Sequence, residues 1–180
     1  MTTQEFVNKF YPFAKQCEDE TGLSAIATLT QAALESGWGN SIPGNMFFGI
    51  KADKNWTGKK QLLKTTEVFK SVNRENWKLW FTSGGRELIS VKENYKVKNG
   101  ISYDLFIVRT FFRAYDSPAE SFKDHYTFFV KNSRYKDALT VKNDYNKFFE
   151  EIHEAGYATG VNYSNTLKGI ATKIIQFIPV

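Results

Sequence analysis

The pattern that most constrains the fold is a break in helical periodicity between residues 40 and 115. On either side of this break, apolar residues recur at spacings of three and four, which predicts amphipathic helices. Inside it, turn-forming pairs separate apolar-rich runs. Asn99-Gly100 stands between the runs at 88–97 and 101–114, which strongly favours a β-hairpin. We therefore predict an α+β fold in which a β lobe, at about 40–115, is inserted into a mainly helical body.

Capping residues mark the ends of the predicted helices. Thr2 opens the first helix as part of a capping box, and Gly22 should end it. Ser24 caps the second helix and Gly37 stops it, so that Glu35 lies in its last turn. The positions that we expect to be buried on the second helix are Ile26, Leu29, Ala33 and Gly37.

The same signals place helices after residue 115. Ser117-Pro118 opens one helix, while Asp144 caps another that Gly156 closes. A last helix carries its apolar face at Leu167, Ile170, Ala171, Ile174 and Ile175. With 180 residues and no linker-like segment, we predict one domain over residues 1–180, acting as a monomer.

Charge and length exclude several classes of function. The net charge is +5, but the basic residues are scattered, with the longest run at Lys59-Lys60. We see no basic stripe with interleaved aromatics, and therefore do not expect nucleic acid as a partner. A mildly basic surface suits an anionic polymer. No apolar stretch approaches the roughly 18 residues that a membrane span needs.

The cysteine and histidines predict neither a disulfide nor a metal site. Cys17 is the only cysteine and falls at apolar helical spacing, which favours a buried thiol over a nucleophile. His125 and His153 lie far apart, and His153 lacks the second histidine four residues on that a zinc helix requires. We predict no metal and no cofactor.

Glu35 is the first candidate for chemistry. The carbonyl end of a helix disfavours a carboxylate, and an indole wall from Trp38 would remove water from it, so its pKa should be raised. A carboxylic acid kept protonated near neutrality can protonate a glycosidic oxygen. Such a reaction also needs a second group, and we expect Glu67, across the first β-hairpin, on the opposite wall of a cleft. Its rivals in the lobe are Glu75, Glu87 and Glu93.

Six segments together resemble glycoside hydrolase family 73, the flagellar-type and autolysin-type N-acetylglucosaminidases. The similarity runs from about residue 5 to residue 178, with the segments in the family's order. They are 32–39 (AALESGWG), 45–52 (NMFFGIKA), Trp56-x-Gly58, Thr65-Thr66-Glu67, 112–117 (FRAYDS) and 156–159 (GYAT).

The resemblance implies a lysozyme-like fold whose β lobe forms one wall of the cleft. It implies metal-free hydrolysis of the β-1,4 bond between N-acetylglucosamine and N-acetylmuramic acid in peptidoglycan. Glu35 would be the acid, Glu67 the second carboxylate and Tyr157 a tyrosine of the cleft. The substrate-binding residues implied are Trp38, Asn45, Phe48, Lys51, Trp56 and Thr159.

Some features depart from the family pattern. The family's paired asparagine is Asn45-Met46 here, its Asp-Pro is Gly160-Val161, and the lobe at 72–108 is longer than expected. These differences concern substrate contacts and the cleft rim. The alternatives are a lytic transglycosylase, a muramidase or an inactive wall-binding domain. Retaining, inverting and substrate-assisted mechanisms all stay open.

The N-terminus shows no signal-peptide pattern, because it has neither a basic start nor an apolar region. We therefore expect synthesis in the cytoplasm and non-classical delivery to the cell wall. Phage lysis, a phage tail and a secretion system are the routes that fit this expectation.

Overall fold

The computed structural model describes residues 1–158 and 160–179, and the chain divides into two compact units. The helical unit comprises Met1–Gly49 and Ala114–Val180, and the sheet unit comprises Ile50–Arg113. A helical body with an inserted sheet confirms the predicted α+β class. That residues 1–180 act as one catalytic domain stays a prediction.

The helical unit is built from six α-helices among its described residues. They are α1 (Thr3–Thr21), α2 (Ala25–Glu35), α4 (Pro118–Lys131), α5 (Lys136–Thr140), α6 (Tyr145–Glu154) and α7 (Tyr163–Ile175). Helix α3 (Arg74–Phe81) lies in the sheet unit. No helix in the described part of the chain is long and apolar enough to cross a membrane. The unit's core is largely aromatic and aliphatic, and its fully buried members include Leu23, Phe129, Tyr135, Phe148, Phe149, Ile152 and Leu167.

The predicted caps of the first two helices are confirmed. The Thr2 hydroxyl accepts the backbone N–H of Glu5, whose carboxylate accepts the N–H of Thr2 in return. Gly22 ends α1 with φ +74°, a left-handed conformation that costs glycine little. Ser24 caps α2 through the N–H of Ala27. These local bonds orient the start of α2, the helix that carries Glu35.

The predicted buried stripe of α2 is wrong in detail, because the helix is buried on almost every side. Eight of its eleven residues are buried, including Thr28, Thr30 and Gln31. Ile26 is only half-buried, and Gly37 is exposed and lies beyond the helix. A stripe pattern describes a surface helix, whereas α2 has neighbours all round.

The later caps are also confirmed, with one error in the last helix. Ser117 accepts the N–H of Glu120 with Pro118 in the first turn, and Asp144 accepts two N–H groups at the start of α6. On α7, Leu167, Ala171 and Ile174 are buried. Ile170 is half-buried, whereas Ile175, in the last turn, is 41% exposed.

The sheet unit contains a three-stranded antiparallel sheet in the order β1-β3-β2. Its strands are β1 (Lys60–Lys70), β2 (Glu87–Lys98) and β3 (Ile101–Arg113). Asn99 and Gly100 join β2 to β3 with φ values of +51° and +73°. Two positive φ values are typical of a tight hairpin turn, so the predicted hairpin is confirmed.

Two features of this unit correct the sequence prediction. A helix, α3 (Arg74–Phe81), interrupts the lobe, where we expected only strands and turns. Strand β1 pairs with β3 and is followed by α3, so Glu67 is not part of a local hairpin. An eight-residue helix has little stability alone. It is stabilised by tertiary packing, because the Trp77 ring stacks on Phe69 at 3.8 Å and Phe81 is buried beside Phe106.

A buried carboxylate joins α3 to the sheet. Asp104 of β3 is fully buried and accepts hydrogen bonds from Arg74 at 2.6 Å, Ser71 at 2.7 Å and the N–H of Asn94 at 2.8 Å. The Arg74 guanidinium holds the pKa of Asp104 well below its usual range. Because a buried charge is tolerated only when it is paired and hydrogen-bonded, this group orders the start of α3 and the bulge in β2.

Candidate active site

Glu35 is the last residue of α2, at the start of an unusual backbone turn. Gly37, Trp38 and Gly39 have φ values of +58°, +59° and +72°. The Ser36 hydroxyl donates to the carbonyl of Ala32 and accepts the N–H of Gly39 at 2.9 Å. Glycine adopts this conformation readily, but an aromatic residue does so at a cost of about 1–3 kcal/mol. The helix therefore ends abruptly after the carboxylate and leaves Glu35 exposed.

The Glu35 carboxylate is held by a tyrosine from the last helix. Tyr163 donates its hydroxyl proton to Oε1 of Glu35 at 3.3 Å, and the same hydroxyl oxygen accepts from the buried amide of Gln31 at 3.3 Å. Because a hydroxyl has only one proton, the Gln31 bond directs that proton toward Glu35. A protonated Glu35 would therefore carry its own proton on Oε2.

The pKa of the Glu35 carboxyl is raised above its ordinary value, as predicted. The main cause is desolvation of the carboxyl group by neighbouring protein atoms, while the residue as a whole stays exposed, and the hydrogen bond from Tyr163 acts in the opposite direction. Burial also raises the pKa of Tyr163, so that its hydroxyl stays protonated and available as a donor. The Trp38 ring packs edge-on against Phe6 at 5.6 Å, and the indole wall beside Glu35 stays a prediction.

Tyr157 lies behind Tyr163, with its hydroxyl directed into the protein. The two rings stack at 5.7 Å, and the Tyr157 hydroxyl lies 3.1 Å from Nε2 of His125. His125 is fully buried and stacks face to face on Phe48 at 3.6 Å. Burial lowers the pKa of His125 to about 3, so the ring is neutral at pH 7. Tyr157 and Phe48, predicted to line a cleft, thus form an inner layer that supports Tyr163.

In the sheet unit, Glu67 and Lys51 form an ion pair. The Lys51 ammonium lies 2.5 Å from Oε1 of Glu67, whose side chain is 17% exposed. Lys51 is held beside β3 by a bridge to Phe112. Both residues were predicted site residues, and the structure brings them together. The ion pair limits the rotation of the Glu67 side chain.

Trp56 and Gly58 are explained by packing. The Trp56 ring folds back over the chain, where its N–H donates to the carbonyl of Lys59 at 2.8 Å and its face meets the Arg113 guanidinium at 4.4 Å. A Cβ atom at Gly58 would lie 2.5 Å from this ring. The Trp-x-Gly pattern is therefore required by the turn that leads into β1.

The remaining predicted site residues have different positions. Asn45 ends a short 3-10 helix with φ +53°, and its amide donates to the carbonyl of Tyr115 at 3.0 Å. This bond joins two distant segments of the helical unit. Thr159 lies outside the described residues. Within the described ranges, no group of three or more His, Cys, Asp or Glu residues is placed to hold a metal ion.

Comparison with solved structures supports the fold. A C-terminally truncated glycoside hydrolase domain of FlgJ from Salmonella typhimurium matches with a TM-score of 0.66 at 25% identity, covering 97% of this chain and 99% of that one. The predicted lysozyme-like fold is confirmed by this match. The family model described as glucosaminidase, mannosyl-glycoprotein endo-beta-N-acetylglucosaminidase, matches residues 11–176.

The chain belongs to the glucosaminidase family. Among curated relatives, peptidoglycan hydrolase FlgJ of Vibrio parahaemolyticus is 30% identical over 95% of this chain and 47% of its own length. Exo-glucosaminidase LytG of Bacillus subtilis is 27% identical over 94% of this chain and 51% of its own length. The chain thus spans about half the length of these relatives.

Within this glucosaminidase fold, the sequence analysis does not predict Tyr163, which donates to Glu35, or Gln31, which donates to Tyr163. Tyr163, the first residue of α7, precedes the apolar face at Leu167 from which the last helix is predicted. Its spacing of four residues from Leu167 places both on the buried face, which was the available signal. Gln31 lies four residues before Glu35, on the same side of α2, and could have been noticed in the same way.

Proposed function

We propose that the chain hydrolyses the β-1,4 bond between N-acetylglucosamine and N-acetylmuramic acid in peptidoglycan, with Glu35 as general acid. The observation that carries this proposal is a carboxyl group with a raised pKa at an exposed helix end. A general acid must be protonated near neutral pH and must also reach its substrate, and few carboxylates meet both conditions.

The hydrogen bonds around Glu35 suit this role. Tyr163 occupies Oε1, which leaves the acidic proton on Oε2 for transfer to the leaving glycosidic oxygen. After transfer, the new carboxylate keeps the hydrogen bond from Tyr163, which stabilises its charge. Gln31 holds the tyrosine in the donating orientation. The three groups thus fix the direction of proton transfer.

We propose Glu67 as the second carboxylate. An oxocarbenium-like transition state needs a negative charge beside it, or a base that activates water, and either role requires an ionised group. The ion pair with Lys51 supports this, because it holds the Glu67 carboxylate in one orientation. Tyr157 acts through Tyr163, whose ring it supports.

The family and the names of its relatives support the choice of bond. The relatives are named peptidoglycan hydrolase and exo-glucosaminidase, and both names fit cleavage on the reducing side of N-acetylglucosamine. The site chemistry by itself supports glycosidic cleavage in general, since both wall bonds are β-1,4 links between similar amino sugars.

Product analysis tests this proposal in one digest. Purified peptidoglycan is digested with the chain, reduced with borohydride and examined by mass spectrometry. We expect reduced N-acetylglucosamine at the new ends. Reduced muramic acid as the main terminus would indicate a muramidase, and an anhydro sugar would indicate a transglycosylase. If the polymer is not digested, the chain is not a hydrolase and at most binds the wall.

A further inference from the structure

One face of the sheet gathers lysines that are scattered in the sequence. In an antiparallel pair, residues opposite each other point to the same face. The register therefore places Lys64, Arg109 and Glu87 side by side on the face opposite buried Phe106 and Val108. We call this the basic face. Its exposed basic residues are Lys60, Lys64 and Lys70 on β1, Arg109 on β3, and Lys92, Lys96 and Lys98 on β2.

The lysines of the basic face are almost uncompensated. Among the strand positions that the described register assigns to it, Glu87 is the only acidic residue, and it pairs with Arg109. Within residues 1–158 and 160–179, the six lysines have no ion-pair partner. Lys64 lies directly opposite Arg109, and like charges gathered on one face repel each other, which lowers the stability of the sheet. Such an arrangement is tolerated most easily where a negative partner binds.

An apolar row separates the two groups of lysines. Because β3 lies between β1 and β2, its outward side chains form a ridge along the middle of the basic face. Lys60 lies over the Phe111 ring at 4.4 Å, and Lys96 lies over the Tyr103 ring at 5.7 Å. The half-buried side chains of the ridge are Tyr103, Leu105, Ile107 and Phe111.

We propose that the basic face is a second binding surface for peptidoglycan, separate from the reaction site. Carboxylates of the stem peptides would pair with the lysines, and sugar rings would lie on the apolar ridge. Glu67 pairs with Phe106 in the register and so lies on the other face of the sheet. The surface would hold the polymer while bonds are cleaved elsewhere. This proposal rests on peptidoglycan being the substrate.

Charge complementarity favours this occupant. The sheet unit has fourteen basic and six acidic residues, a net charge of +8, whereas the rest of the chain has ten basic and thirteen acidic residues, a net charge of −3. The excess positive charge is therefore concentrated in one unit. An extended polymer with repeated carboxylates and sugar rings matches both the lysines and the ridge.

A binding experiment with a matched control tests the proposal. The whole chain carries Glu35→Gln so that the polymer stays intact, and it is co-sedimented with peptidoglycan freed of phosphodiester polymers. One variant replaces Lys64, Lys70, Lys92 and Lys96 with Gln. The control replaces Lys9, Lys131, Lys136 and Lys173, exposed lysines of the helical unit, with the same change in net charge.

We expect the dissociation constant of the basic-face variant to rise about tenfold, and that of the control to change less than about twofold, because local charge pairs act over short distances at moderate salt. Added salt should weaken the parent more than the basic-face variant. Circular dichroism checks folding, and single variants Lys64→Gln and Lys96→Gln replace the quadruple variant if it unfolds.

Several results would overturn the proposal. They are equal losses in both variants, no loss in either, or lysine-dependent binding only to phosphate-bearing walls, anionic vesicles or single-stranded DNA. The hydrolysis of peptidoglycan by the chain with Glu35 intact is measured in a separate experiment. Hydrolysis without lysine-dependent binding would refute this proposal alone. Lysine-dependent binding to peptidoglycan without hydrolysis would support it and refute the proposed activity.

Discussion

The helical unit and the sheet unit use polar residues in opposite ways. The helical unit places Gln31 and His125 inside the protein, where each contacts one tyrosine hydroxyl. The sheet unit places half of its fourteen basic residues outside, on the basic face. Buried hydrogen bonds fix the orientation of a reacting group, whereas exposed charge attracts a polymer without fixing its position. In the proposed function, the helical unit supplies the general acid Glu35, and the sheet unit supplies Glu67 and the face that would hold the polymer.

The two units also differ in the buried group that responds to acid. In the helical unit, burial lowers the pKa of His125 to about 3. In the sheet unit, Arg74 lowers the pKa of Asp104. Both folded-state pKa values lie below the unfolded ones, so both groups contribute stability that is lost as pH falls. The loss begins near pH 6.5 for His125 and only near pH 4 for Asp104, because those are the unfolded values.

The largest expected effect is that of Glu35→Gln. The amide is nearly isosteric but cannot donate the proton, so turnover of peptidoglycan should fall by about 10²–10⁴-fold or more. Glu154→Gln, an exposed change on α6, is the control. Wall-clearing activity within tenfold of the parent, in a folded Glu35→Gln variant, would mean that another group is the acid.

Glu67→Gln tests whether the sheet unit also takes part in chemistry. Loss of a charge that stabilises the transition state should reduce turnover by about 10²-fold. The matched controls are Glu75→Gln, Glu87→Gln and Glu93→Gln, which should each have a smaller effect. If one of these three proves more damaging, the second carboxylate has been assigned wrongly.

Acidification should change the stability of the two units by different amounts. Between pH 7 and pH 4.5, the helical unit should lose about 2–3 kcal/mol of stability, because His125 becomes protonated in the unfolded state and stays neutral in the folded one, while the sheet unit changes little. The groups that face His125 are the Tyr157 hydroxyl and the rings of Phe48 and Phe129, none of which carries a compensating charge at these pH values. Amide hydrogen exchange of each unit measures this difference.

His125→Phe is the control for this experiment. Phenylalanine keeps the stack on Phe48 but does not titrate, so the pH dependence of the helical unit should flatten. If the stability of the helical unit in His125→Phe still falls with decreasing pH as steeply as in the parent, His125 is not the group responsible. The same conclusion follows if the sheet unit loses amide protection at a higher pH than the helical unit.

The smallest expected effect is that of Tyr163→Phe. Turnover should fall by about tenfold, the usual loss for one hydrogen bond to a charged group. The hydroxyl lowers the pKa of Glu35, so its removal should raise that pKa further. Because the acid works in its protonated form, the alkaline limb of kcat/KM should move to higher pH. Tyr11→Phe in α1 is the control. If the alkaline limb of the kcat/KM profile does not move in Tyr163→Phe, Tyr163 has only a packing role.

The sequence alone determined those features that depend on neighbouring residues. Thr2, Ser24 and Asp144 were recognised as caps, and Asn99-Gly100 as a hairpin turn, because these interactions span only two to four residues. Glu35 was placed at a helix end for the same reason. The order of helices and strands, and hence the α+β class, followed from these local signals.

Which distant groups meet depends on the packing of elements against each other and is seen only in the folded chain. Tyr163 contacts Glu35 across 128 residues of chain, and no spacing rule connects them. Helix α3 forms because Trp77 and Phe81 pack on the sheet. Eight residues alone would not form a stable helix. The lysines of the basic face share a surface because strand register aligns three segments far apart in sequence. Local propensity specifies elements, but side chains are brought together by packing and pairing between elements, which a single stretch of sequence does not encode.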